Sequence, residues 1–199
     1  MDRDGGLRST IRLVVALNLG FFVIETIAAL STGSVSLFAD SVDFLEDASI
    51  NLLILAGLGW TSRARARLGM GLAAIILLPG LAAFVMAWHR FTVGTAPDAV
   101  VLGVTGLAAL AVNSTCAILV ARHRASGGSL TKAAFLSARN DTMANVAIIA
   151  AGALTAWTRS LWPDLSVGLA IACLNAGAAH EVFTAARAEG REDSLSRNR

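Results

Sequence analysis

Apolar residues in this chain come in blocks about as long as a bilayer is thick, and the polar joints between the blocks are short. A helix needs roughly 20 mostly apolar residues to cross the hydrocarbon core. Blocks of that length lie at 11–31, 36–57, 68–88, 98–120, 133–157 and 163–184. Because these blocks take up most of a 199-residue chain that is 55% hydrophobic, almost nothing is left for a soluble domain. The fold class predicted is an all-α membrane protein, a bundle of six transmembrane helices without a soluble C-terminal domain. Residues 1–10 are read as an N-terminal segment, 11–185 as the bundle and 186–199 as a short tail. That tail is charged and poor in apolar residues, so it is expected to be disordered. The first block carries Asn18 and Glu25 and lacks a small-residue cleavage site, which favours a membrane helix over a signal peptide.

Basic residues alternate from joint to joint. Arg3, Arg8 and Arg12 precede the first block, and Arg63, Arg65 and Arg67 fill the second joint. Arg122, Arg124 and Lys132 fill the fourth, and Arg187, Arg191, Arg197 and Arg199 follow the last block. The odd-numbered joints hold only Arg90 and Arg159. Basic residues near span ends stay on the cytoplasmic side, so both termini are expected in the cytoplasm of a bacterial-type inner membrane. With a net charge of +2 and this distribution, the arginines are explained by topology and no nucleic-acid partner is implied. Cys116 and Cys173 are isolated within blocks and read as small packing residues, not a disulfide or thiolate site. Asn113 and Asn175 read as hydrogen-bonding partners between helices, and Gly168 and Gly177 as points of close helix approach.

The second block contradicts its surroundings. The stretch ADSVDFLEDASIN places Asp40, Asp43, Glu46 and Asp47 inside an apolar span. At about 100° per residue, Asp40, Asp43, Asp47 and Asn51 share one helix face, and Glu46 lies to its side. A carboxylate at membrane depth costs about 2.5–3.5 kcal/mol on insertion scales, so such a stripe must face a cavity, a cation or its own kind. In the fifth block, Ser137, Asp141 and Asn145 recur every fourth residue on one face, with Asn140 beside them and Arg139 turned away. Antiparallel packing of blocks two and five brings Asp43, Asp47 and Asp141 to one depth. Clustered carboxylates in low dielectric must hold a divalent metal or protons. Competition between these two for the same oxygens is the physical basis of metal/proton antiport.

NLGFFVIETIAALSTGSVSLFADSVDFLEDA, SARNDTMANVAIIAAGALTAW and WPDLSVGLAIA together resemble the transmembrane domain of the cation diffusion facilitator family, over about residues 11–185. The resemblance implies a pair of (His or Asp)-x-x-x-Asp motifs, one in each of spans two and five, forming a divalent-cation site. Asp43 and Asp47 match the first motif. The second departs from it, because Ser137 stands where the family carries His or Asp and leaves Asp141 as the strong ligand. Ser137, and more weakly Asn140, Asn145 and Asp40, are candidates to complete the metal shell. A site without histidine is harder than the usual zinc site and tolerates Mn²⁺ and similar ions better. The resemblance further implies a transporter and not an enzyme, with no resident cofactor and a homodimeric assembly. Its cargo would be zinc first, with cadmium, cobalt, manganese and iron as further candidates, exchanged for protons. The chain also resembles short family members that end soon after the sixth span.

Two other readings compete. One is a membrane-embedded, metal-dependent CDP-alcohol phosphotransferase, but that motif needs Gly directly after its second Asp, and Phe44 follows Asp43 here. The other is a transport-inactive interaction protein, against which the retained carboxylates speak.

Overall fold

A computed structural model describes residues 3–57, 62–122 and 128–196. The described residues form six α-helices: α1 (Arg3–Thr32), α2 (Val35–Gly57), α3 (Ser62–Val93), α4 (Ala99–Ala121), α5 (Gly128–Thr158) and α6 (Trp162–Ser196). Each predicted span corresponds to one helix, the fourth starting one residue early at the capping Asp98, and several helices run beyond their spans. The expected disordered tail is, as far as Ser196, a continuation of α6. No proline follows Pro163 to interrupt that helix.

Burial is inverted relative to a soluble protein. Val85, Trp88, Val100 and Leu174 are 70–73% exposed, whereas Asn18, Glu25, Asp40 and Asn145 are 0% exposed. In water this arrangement would be unfavourable on both counts; in a bilayer, lipid solvates the exterior and the polar groups are confined to the interior. By length and composition alone, α1 from Gly6 to Thr32 and α4 from Ala99 to Ala121 qualify as spans among the described residues. The acids of α2 keep that helix from qualifying, and they point inward.

Helix α2 is central and packs against all the other helices; α3 lies along α6, α4 along α5, and α1 against both α2 and α4. Leu37 and Ala39 of α2 meet Leu102, Ile148 and Ile171 in one apolar cluster. A Cβ at Gly152 would lie 3.2 Å from the backbone nitrogen of Gly103, so α4 and α5 approach almost backbone to backbone. Gly168 plays the expected role even more strictly, since a Cβ there would come within 2.6 Å of the Ser36 backbone nitrogen. Gly177 has open space around it instead.

The turn from α1 to α2 is short and fully bonded. Gly33 adopts φ +66°, and the Ser34 amide donates to the Ala29 carbonyl at 3.1 Å, the wide closing bond of a left-handed helix C-cap. The Arg90 guanidinium reaches over from α3 to donate to the Thr32 carbonyl and, at 2.7 Å, to the Thr95 hydroxyl. Asp98 caps α4 by accepting from the amides of Val100 and Val101 at 2.8 and 3.1 Å.

Candidate metal-ion site

Because α2 is surrounded on all sides, every one of its acids is buried. Asp40, Asp43, Glu46 and Asp47 are each at most 9% exposed. A cavity of about 390 Å³ opens between α2, α5 and α6, and its wall includes Asp43, Glu46, Asn140, Asp141, Cys173 and Asn175. Two helices distant in sequence thus contribute carboxylates to one space at mid-height of the bundle.

The charges are close enough to act on one another. Asp43 lies in the field of Asp141, Asp40, Glu46 and Asp47. Asp141 lies in the field of Asp47, Asp40 and Glu46, and its carboxyl stands within hydrogen-bonding reach of Asp47. Among the described residues, no basic side chain acts on Asp43 or Asp141. Such a set of carboxyls is stable only with protons or a cation among them. Asn145 ties the two helices together: its Nδ2 donates to the Asp141 carbonyl at 2.7 Å and to Asp40 Oδ1 at 3.5 Å. Among the described residues, no three acids, thiols or imidazoles are drawn up as tightly as a finished metal shell requires.

The sequence candidates therefore separate by position. Asp43, Asp141 and Asn140 line the cavity, and Asp47 joins them through its approach to Asp141. Asp40 and Asn145 lie in contact with each other and away from the cavity wall. The side chain of Ser137 lies outside the described residues, as does His123. Arg139 is exposed, as its helix face requires. His89 and His180 are also exposed.

Three features differ from the sequence reading or were missed by it. Glu46, set to one side by helical angle, lines the cavity, because α5 and α6 both face α2 there and widen the arc that counts as interior. Cys173, read as packing, is exposed and lines the same cavity, whereas Cys116 is buried among Val14, Ile54 and Val120 as expected. Asp164 was not singled out, yet it is 2% exposed and bonded to the start of α2; its only signal in the sequence is an acid in the first turn of a predicted span. The interhelical role expected of Asn175 is met by its 2.9 Å bond to the Ala39 carbonyl. Glu25 is wholly buried, in the field of Asp40 and, more weakly, of Asp43.

An apolar exterior around an interior cavity lined in part by carboxylates marks this as an integral membrane protein. The cation efflux transmembrane domain model matches residues 11–188, and the chain belongs to that family of metal-cation efflux transporters. A search of curated proteins finds no significant match.

Proposed function

We propose that this protein exports a divalent transition metal, zinc first, from the cytoplasm in exchange for protons. Asp43, Asp47 and Asp141 bind the ion, and Ser137 or Asn140 adds a neutral oxygen. The single observation that supports this most is the shared cavity: Asp43 from α2 and Asp141 from α5 line one space, with Asp47 in reach of Asp141. The ion's charge relieves the repulsion within that group, and protons relieve it equally well when the ion has left. Neither ligand binds without displacing the other, which couples the two fluxes.

A site at mid-height suits alternating access, in which one half of the bundle moves against the other around a fixed centre. With both termini in the cytoplasm, α2 runs inward and α5 outward. The turns between α1 and α2 and between α5 and α6 then lie at the outer face. The membrane potential contributes about 2.3 kcal/mol per charge per 100 mV, enough to support exchange of one or two protons per ion. Two copies are proposed to form a homodimer, by the family resemblance. The test is zinc flux in proteoliposomes under an imposed pH gradient, compared with Cd²⁺, Co²⁺, Mn²⁺ and Fe²⁺. Absence of gradient-driven flux for all five ions excludes the reading.

A further inference from the structure

We propose that the groove between α1, α2 and α3, at the end of the bundle that carries the α1–α2 and α3–α4 turns, binds an anionic phospholipid whose phosphate meets Arg90 and whose acyl chain lies along α3. Binding there requires only that the bundle lie in a bilayer, not that it carry an ion.

The groove has a volume of about 600 Å³. Leu30 of α1 and Phe38 of α2 line it together with Ala82, Val85 and Met86 of α3, and Gly33, His89 and Arg90 supply its polar end. The α3 residues 82, 85, 86, 89 and 90 recur at the three- and four-residue spacing of one helix face. Eight residues of helix extend about 12 Å, most of one leaflet of a hydrocarbon core roughly 30 Å thick. Leu30 and Val85 are 63% and 70% exposed, so the apolar part of the groove is open to lipid.

Aromatic rings set the depth of the polar end. Trp88 lies against Phe91 with ring centroids 6.2 Å apart, and Phe91 meets Trp162 of α6 edge-on at 5.9 Å. Trp88 and Trp162 are 70% and 57% exposed, and tryptophans facing lipid collect at headgroup level. Arg90 falls between Trp88 and Phe91 in the chain, which puts it at the depth of the lipid phosphates.

Charge then selects the headgroup. Arg90 and Arg159 are the basic residues of the odd-numbered joints, at the end where positive charge is otherwise sparse. The Arg90 guanidinium lies against Gly33 and donates to the Thr32 carbonyl and the Thr95 hydroxyl. Both acceptors are neutral, so neither cancels its charge, and these two bonds use two of the five N–H donors a guanidinium offers. Because the side chain is half-buried, a phosphate beside it forms charge-assisted bonds partly shielded from water. A zwitterionic headgroup brings its own cation next to the arginine and gains less. Free phosphate cannot use the apolar stripe at all.

The test titrates the purified full chain in detergent with dioleoyl phosphatidylglycerol or dioleoyl phosphatidylcholine, with bound lipid counted by native mass spectrometry. Phosphatidylglycerol is expected to bind about tenfold more tightly, the worth of one hydrogen bond to a charged group, and Arg90→Gln is expected to remove that preference. Arg159→Asn changes the other arginine, at a φ of +51° that asparagine tolerates, and is expected to keep it. Ala82→Phe fills the apolar stripe without touching the bonds of Arg90, and is expected to weaken both lipids by about threefold or more. Equal affinity of the wild type for the two lipids, or a preference that survives Arg90→Gln, overturns the proposal. Arg90 also holds the α1–α2 turn, so if Arg90→Gln does not fold, Ala82→Phe decides: weakened phosphatidylglycerol binding supports the groove as the site, and unchanged binding overturns it. Efficient disulfide cross-linking of Val85→Cys to itself in membranes, in a Cys173→Ala background, would show that a second copy covers the groove and would equally overturn it.

Discussion

Asp47 of α2 exerts the strongest charge effect on Asp141 of α5 in the bundle interior, although the two lie ninety-four positions apart in the chain. Two neighbouring buried carboxyls are favoured together only when one is protonated or a cation lies between them. Removal of an acid, a change of pH and a change at position 137 each test what occupies the space between them.

Removing either wall should abolish zinc binding as well as transport. Asp47→Ala and Asp141→Ala are each expected to weaken zinc affinity by more than the roughly 10–100-fold that loss of a hydrogen-bond partner behind a ligand costs. Isothermal calorimetry on the purified variants measures this. Unchanged affinity in Asp47→Ala would show that α2 does not ligate through that position.

Acidification should weaken metal binding. The ion requires deprotonated oxygens, so affinity is lost as pH falls, by about tenfold per pH unit for each proton displaced. Calorimetry in buffers of different ionisation enthalpy counts those protons directly. A metal affinity flat between pH 6 and about 8 would remove the competition on which proton coupling depends.

Position 137 tests selectivity. Ser137→His supplies an imidazole four residues before Asp141, and imidazole favours Zn²⁺ over Mn²⁺ relative to oxygen donors. The ratio of zinc to manganese flux is expected to rise in this variant. A ratio equal to wild type means the side chain at 137 does not touch the ion.

The α1–α2 turn should tolerate no side chain at its glycine. Gly33→Ala forces a left-handed φ on alanine and drives a methyl group into the Arg90 guanidinium, a loss of about 1–3 kcal/mol. Gly20, with nothing within 4 Å of a built Cβ, is the contrast: Gly20→Ala is expected to raise stability by about 0.5–1 kcal/mol through helix propensity. Thermal unfolding in detergent reads both, and equal behaviour of the two variants would contradict the turn geometry.

Much of the candidate site is legible in the sequence because a helix has a fixed angular repeat. Acids three and four residues apart in an apolar span must share a face, whatever the surrounding fold, and Asp43 and Asp141 do line one cavity. Glu46 and Cys173 were not legible as cavity residues, since their angular position becomes interior only once α5 and α6 are known to flank α2. The bonds that Asp164 accepts from the start of α2 were hidden for a related reason. A carboxylate in the first turn of a helix ordinarily serves its own N-terminus, and here it serves the N-terminus of another helix far away along the chain.

Hydropathy and charge placement by themselves determined that the chain is a helical membrane bundle with acids in its interior, because lipid admits few backbone solutions and penalises every buried charge. Only the tertiary structure decided that α2 is the helix touching all others, and that Asp164 of α6 and Asn145 of α5 bond to it. Helix periodicity specifies which residues face inward, but the identity of the helix each one meets is set by packing among segments far apart in the chain.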